Sequence, residues 1–144
     1  MEDQQRLNEL VNEINAYNQQ AELVRQQIEL IRSSLAEVNA LSNTLDDLKG
    51  EKSVEAFVPV GAGSFIKGEL KDTDEIIISI GAGYAIKKDA EGAKEIIAGQ
   101  KKDLEDSLDK MLGNLQQVTD IITNLQGQAQ QIQLAAQGGV TGLN

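Results

Sequence analysis

Along residues 7–38 the apolar positions alternate at spacings of three and four: Leu7, Leu10, Ile14, Tyr17, Ala21, Val24, Ile28, Ile31, Leu35 and Val38. The positions between them are mostly Gln, Asn, Glu and Arg. Every a and d site of the heptad is filled by an apolar side chain, and that regularity over more than four heptads predicts a coiled-coil helix. Beyond Val38 the series continues as Leu41, Leu45 and Leu48, a three-residue phase slip that would locally overwind a supercoil. Lys49 and Gly50 then supply a last-turn cation and a glycine stop, so the first helix is expected over residues 3–49. A second array has the same form: Leu104, Leu108, Met111, Leu115, Val118, Ile122, Leu125, Ala129, Ile132 and Ala136. Asp89 and Glu91 place negative charge at its start, and Gly138-Gly139 is expected to end it, giving a helix over 90–137.

Between the arrays the period changes from heptad to alternation. Residues 60–67 read Val-Gly-Ala-Gly-Ser-Phe-Ile-Lys and residues 80–87 read Ile-Gly-Ala-Gly-Tyr-Ala-Ile-Lys, an internal repeat at an offset of twenty. Val54, Ala56, Val58 and Val60 share one face of an alternating strand, and Ile76, Ile78 and Ile80 share one face of another. Phe65 and Tyr84 lie at the start of the return strands, and Ile86 follows in the second. Glycines on either side of a small residue permit the positive φ of a tight turn. Residues 53–88 are therefore expected to form two tandem hairpins, joined by the polar stretch Lys71-Asp72-Thr73-Asp74.

Two helical arrays of equal length joined by a short β block pair most simply back to back and antiparallel, with both termini at the far end. Helices of about 47 residues would reach roughly 70 Å. Two hairpins leave open strand edges and an Ile-rich face that four short strands cannot bury alone. Pairing with other subunits, or a barrel shared between chains, answers that problem; folding of the hairpins onto each other is the alternative. The fold class expected is α+β: one domain over 1–144, with a long antiparallel two-helix coiled coil joined by two tandem β-hairpins that assemble into an intersubunit β-barrel.

Composition sharpens this picture. Only 3% of the 144 residues are aromatic, with no Trp, which suits thin seams between helices better than a thick core. A net charge of −10 opposes phosphate, so neither nucleic acid nor an anionic membrane surface is an expected partner. No apolar run approaches the roughly 18 residues of a membrane span. The acidic start Met1-Glu2-Asp3 is unlike a signal peptide, and cysteine is absent; a cytoplasmic protein is expected.

The residue types also exclude much chemistry. With neither His nor Cys, zinc sites and catalysis by those residues are out of reach. Lys67 follows Ile66 and precedes Gly68, and Lys87 follows Ile86 and precedes Lys88, so neither glycine cluster is a phosphate loop. Asp103, Glu105, Asp106 and Asp109 read as a solvated helix face, and Asp72, Asp74 and Glu75 lack calcium-loop spacing. No catalytic, cofactor-binding or metal-binding residue is expected. Gly99, Gly113 and Gly127 recur every fourteen residues at the outward f position of the second array, where they would keep the helix compliant or are simply tolerated at the surface.

The order helix, two Gly-Ala-Gly hairpins, helix resembles the alpha-type subunit of archaeal prefoldin. Val58-Pro59-Val60-Gly61-Ala62-Gly63-Ser64-Phe65-Ile66-Lys67 carries most of the likeness, and Ile80-Gly81-Ala82-Gly83-Tyr84-Ala85-Ile86-Lys87 repeats it. Beta-type subunits of that family have one hairpin between their helices; this chain has two. The resemblance implies a complex of two alpha-type and four beta-type subunits. Their hairpins would form a double barrel, and the coiled-coil ends would capture unfolded polypeptide without ATP and pass it to a group II chaperonin. In that light Val54, Val58, Val60, Phe65, Ile76, Ile78, Ile80, Tyr84 and Ile86 are expected in subunit assembly. Leu7, Leu10, Val11, Ile132 and Leu134 are expected at the client-binding end. A structural adaptor or spacer with the β block as its hub is the competing reading.

Overall fold

A computed structural model describes residues 2–142. Its order is α1 (Glu2–Leu48), β1 (Ser53–Gly61), β2 (Ser64–Lys71), β3 (Ile76–Gly81), β4 (Tyr84–Lys88) and α2 (Ala90–Gly142). The chain groups into two compact units, one of residues up to Arg32 with those from Asp106 onward, the other Ser33–Glu105.

In the first unit Ile14, Tyr17 and Ala21 of α1 cluster with Leu115, Val118 and Ile122 of α2. The Arg6 guanidinium also donates to the side-chain oxygen of Gln128 at 3.4 Å. Positions that rise along α1 thus meet positions that fall along α2, so the pair is antiparallel. Ala21 and Val118 are buried and the intervening positions are exposed, as the heptad requires.

The second unit holds the base of both helices and the two hairpins. Leu45, Ile78, Ala93 and Ile97 form its buried cluster, flanked by Val38, Ile76, Ile86 and Ile96. Two sequence expectations change here. The phase slip after Val38 is absent: Ser42 is half-buried, whereas Leu41 is 37% exposed, so the heptad runs unbroken from Val38 through Ser42 to Leu45. A small polar residue on the seam costs less than a distorted supercoil between two well-packed apolar layers. In addition, α2 continues through Gly138-Gly139 to Gly142. Glycine costs about 1 kcal/mol in a helix but does not forbid one.

The exit of α1 follows expectation more closely. Gly50 takes a φ of +81°, and the Glu51 N–H donates to the Leu48 carbonyl at 3.1 Å. Lys49 lies one residue beyond the helix. At the start of α2, Asp89 is the N-cap, its carboxylate accepting the Gly92 N–H at 2.8 Å. A Cβ at Gly92 would lie 2.9 Å from that same carboxylate oxygen, whereas Gly99, Gly113 and Gly127 have open space around theirs. Replacing those three with Ala should therefore stabilise α2 by about 1 kcal/mol each. Gly92→Ala should gain nothing, because it displaces a cap worth about as much. Urea midpoints of the two variants will separate these outcomes.

Each hairpin is an antiparallel pair, and the two sheets are separate, so the hairpins do not fold onto one another. The turns are Ala62-Gly63 and Ala82-Gly83, with φ of +49° and +75° in the first and +53° and +79° in the second. Positive φ at both central residues is the type I′ geometry that matches strand twist. Register shifts between Pro59 and Gly61, and between Ser79 and Gly81, leave Val60 and Ile80 in equivalent bulges. Alanine in this left-handed region is strained, whereas asparagine accepts it. Ala62→Asn and Ala82→Asn should each raise the unfolding midpoint by about 1 kcal/mol equivalent, with an unchanged urea slope.

Candidate functional site

Two regions carry the residues singled out in the sequence. The first is the end of the helix pair. Leu10 is fully buried, Leu7 and Ile132 are half-buried, and Val11 and Leu134 are exposed. Leu7, Leu10 and Ile132 are thus seam layers, and Val11 and Leu134 present the apolar surface. Arg6 covers the seam from one edge, reaching Gln128 as well as Glu9 at 3.4 Å and Glu13 at 4.0 Å.

The second region is the β block, where the internal repeat has two different environments. The repeat extends to its ion pairs: Glu55–Lys67 at 3.2 Å in the first hairpin becomes Glu75–Lys87 at 3.5 Å in the second. Ile78 pairs with Ile86, and both turn onto the base of the helices, Ile78 being 5% exposed. The Gln100 amide reinforces this seat by donating to the Ser79 carbonyl at 3.2 Å. Ile76, Ile78 and Ile86 therefore belong to the core of their own chain. The four strands do not bury the Ile-rich face alone: α1 and α2 cover much of it. Ile80 and Tyr84 stay exposed.

The equivalent pair in the first hairpin is Val58 and Ile66, and both are exposed. Val60 and Leu70 are exposed too, while Val54 is half-buried. The opposite face carries Phe57 and Phe65, with Phe57 72% exposed. The first hairpin thus carries exposed apolar side chains on both faces: Val58 and Ile66 on one, and Phe57 and Phe65 on the other beside the Glu55–Lys67 pair. Sequence reasoning passed over Phe57, Ile66 and Ile77, all exposed. Pairing across the hairpin was the available signal: an expected partner for Pro59 at Phe65 places Phe57 on the same face.

Charge at the base is arranged in cross-helix pairs. Lys49 meets Glu91 at 3.4 Å, and Lys94 meets Asp46. The hydrogen bond to Asp46 raises the Lys94 pKa above the usual lysine value; desolvation lowers it, and the charges of Asp46 and Glu91 add to the rise. A raised cation pKa stabilises the fold below the unfolded value and is lost as pH climbs through the folded one. This clip is therefore intact at neutral pH. Among the described residues no His, Cys, Asp or Glu group could hold a metal ion, and no helix is long and apolar enough to cross a membrane.

The fold defines a class: helix–hairpin–hairpin–helix subunits with a paired seam and uncovered strands. Residues 17–135 match the family model described as prefoldin subunit. "Prefoldin subunit alpha" of Methanobrevibacter smithii is 68% identical, with all of both chains covered. "Prefoldin subunit alpha 1" of Thermococcus kodakarensis is 38% identical over 71% of this chain and 70% of its own. A chain of filamentous PFD from Methanocaldococcus jannaschii superposes with a TM-score of 0.68 at 23% identity, covering 84% of this chain and 98% of that one, which shows a shared fold. The chain belongs to the prefoldin family of chaperone subunits.

Proposed function

We propose that this chain is the alpha-type subunit of a holding chaperone that works without ATP. It assembles with beta-type subunits, two alpha to four beta, through strands shared in a barrel. It acts in the cytoplasm, captures unfolded polypeptide at the helix ends and passes it to a group II chaperonin. The observation that carries assembly is the first hairpin, with Phe57, Phe65, Val58 and Ile66 uncovered on its two faces. Apolar surface of that kind on a β edge calls for partner strands. Exposed Val11 and Leu134 beside a closed seam support capture at the ends: they offer apolar contact without a shaped pocket, as binding of many unrelated chains requires.

The test is light scattering of a chemically unfolded protein diluted into nucleotide-free buffer, with and without the assembled complex. Suppressed scattering at near-stoichiometric complex is the expected result. Unchanged scattering from a complex shown to be assembled would favour a structural adaptor instead.

A further inference from the structure

The two edges of the helix pair in the first unit differ in chemistry. With Leu7 at heptad position a, Arg6 is at g and so is Gln128 of α2; their hydrogen bond marks the g edge. Arg25 and Arg32, at e, line a groove with Leu112 at e of α2, which marks the other edge. That second edge is charged, with Arg25 paired to Glu22 at 3.6 Å and Arg32 to Glu29 at 3.5 Å.

The g edge is not. From Ala16 to Leu30 the g and adjacent c positions of α1 are Ala16, Gln20, Leu23, Gln27 and Leu30, all uncharged. Leu23 is 61% exposed and Leu30 69%. Ile121, exposed at g of α2, lies on the same edge, with uncharged Asn114 and Gln117 nearby along its helix. In a chain where 25% of residues are charged, this strip stands out as neutral and apolar.

We propose that this strip is a second contact surface for extended, non-native polypeptide, separate from the helix ends. The proposal rests on the chaperone reading above and adds a site to it. Two other occupants fit poorly. A partner helix would need apolar layers over three or four heptads, but Glu9 and Glu37 hold the c positions flanking Ala16, Leu23 and Leu30. A folded protein would need about 1,000 Å² of buried surface, several times what three aliphatic side chains supply. A non-native chain needs neither. It presents aliphatic groups with charges of either sign around them, and an uncharged strip does not select between signs. Leu23 and Leu30 are one heptad, or about two helical turns, apart: about 10.5 Å along the helix. In polyproline II, a major conformer of unfolded chains, side chains three residues apart share a side and lie about 9.3 Å apart. One extended segment can therefore touch both leucines. The contact is weak alone and gains strength when the same chain is already held at the helix ends.

The test uses the assembled complex carrying Leu23→Gln, Leu30→Gln and Ile121→Gln, substitutions at exposed positions where Gln keeps helix propensity. The probes are fluorescein-labelled, reduced and carboxymethylated lysozyme, which stays unfolded, and a short apolar peptide that reaches one contact only. Dissociation constants are measured without nucleotide. The expected result is binding of the long chain weakened by about tenfold, with the peptide unaffected. Long-chain binding within about twofold of the unsubstituted complex would overturn the proposal while leaving the chaperone reading in place. If the unsubstituted complex binds neither probe, the chaperone reading fails and the strip falls with it. A benzophenone placed at position 27 gives a readout that does not depend on the substitutions. It should label the bound long chain, and one at position 29, on the charged side, should not; equal labelling from both would also overturn the strip.

Discussion

Deleting residues 2–11 and 132–142 is expected to abolish suppression of aggregation while the complex still assembles. The deletion removes Val11 and Leu134, which supply exposed apolar surface, and the outermost seam layers at Leu7, Leu10 and Ile132. It leaves the cluster of Ile14, Tyr17, Ala21, Leu115, Val118 and Ile122 intact, so the shortened helices keep a packed seam. It also leaves the whole β block, where assembly is proposed to occur. The measurement is a pair: scattering of an unfolded client without nucleotide, and the mass of the complex in solution. Full loss of holding, with the number of subunits per complex unchanged once the deleted residues are allowed for, is the expected outcome. Retained holding would move client capture away from the ends altogether. A partial loss would fit a complex whose uncharged strip still makes contact.

The second large effect is expected at Ile78. It is the strand residue buried with Leu45, Ala93 and Ile97, and it fixes the second hairpin to the helix bases. Ile78→Ala should cost about 2–5 kcal/mol, the range for emptying a buried aliphatic site. Ile78→Asp should cost more, because an unpaired carboxylate would be buried. Phe57→Ala is the contrast. Phe57 is more exposed than any buried seam residue and touches no core cluster of its own chain. Its loss should shift the unfolding midpoint of the isolated chain by less than about 0.5 kcal/mol and yet weaken assembly with partner subunits. Urea unfolding of the isolated chain and titration of assembly by mass separate the two. Equal effects of Ile78→Ala and Phe57→Ala on the isolated chain would contradict the division between a covered and an uncovered hairpin.

The second helical array was legible because a seam of this kind is a local property. Ten positions from Leu104 to Ala136 follow the heptad, and nearly all are at least half-buried. Each residue's burial follows from its own place in the repeat. Misreading Leu41 had an equally local cause: both Leu41 and Ser42 fit a spacing of three or four from Val38, and hydrophobicity favoured the wrong one. Only the packing of Val38 and Leu45 against the same cluster selects Ser42.

The hairpins divide in the same way. Sequence alone determined the helix–hairpin–hairpin–helix order, the two turns, and the lack of His and Cys, because periodicity, glycine conformation and side-chain type act over a few residues. It could not determine which hairpin its own helices cover. Val58 with Ile66, and Ile78 with Ile86, are equivalent in pattern and nearly so in hydrophobicity. The tertiary structure decided between them, seating the second pair on Leu45, Ala93 and Ile97 and leaving the first exposed. The reason is physical: burial of a strand face depends on what residues distant in the chain bring to it, and the single base formed by α1 and α2 is occupied by one of the two copies.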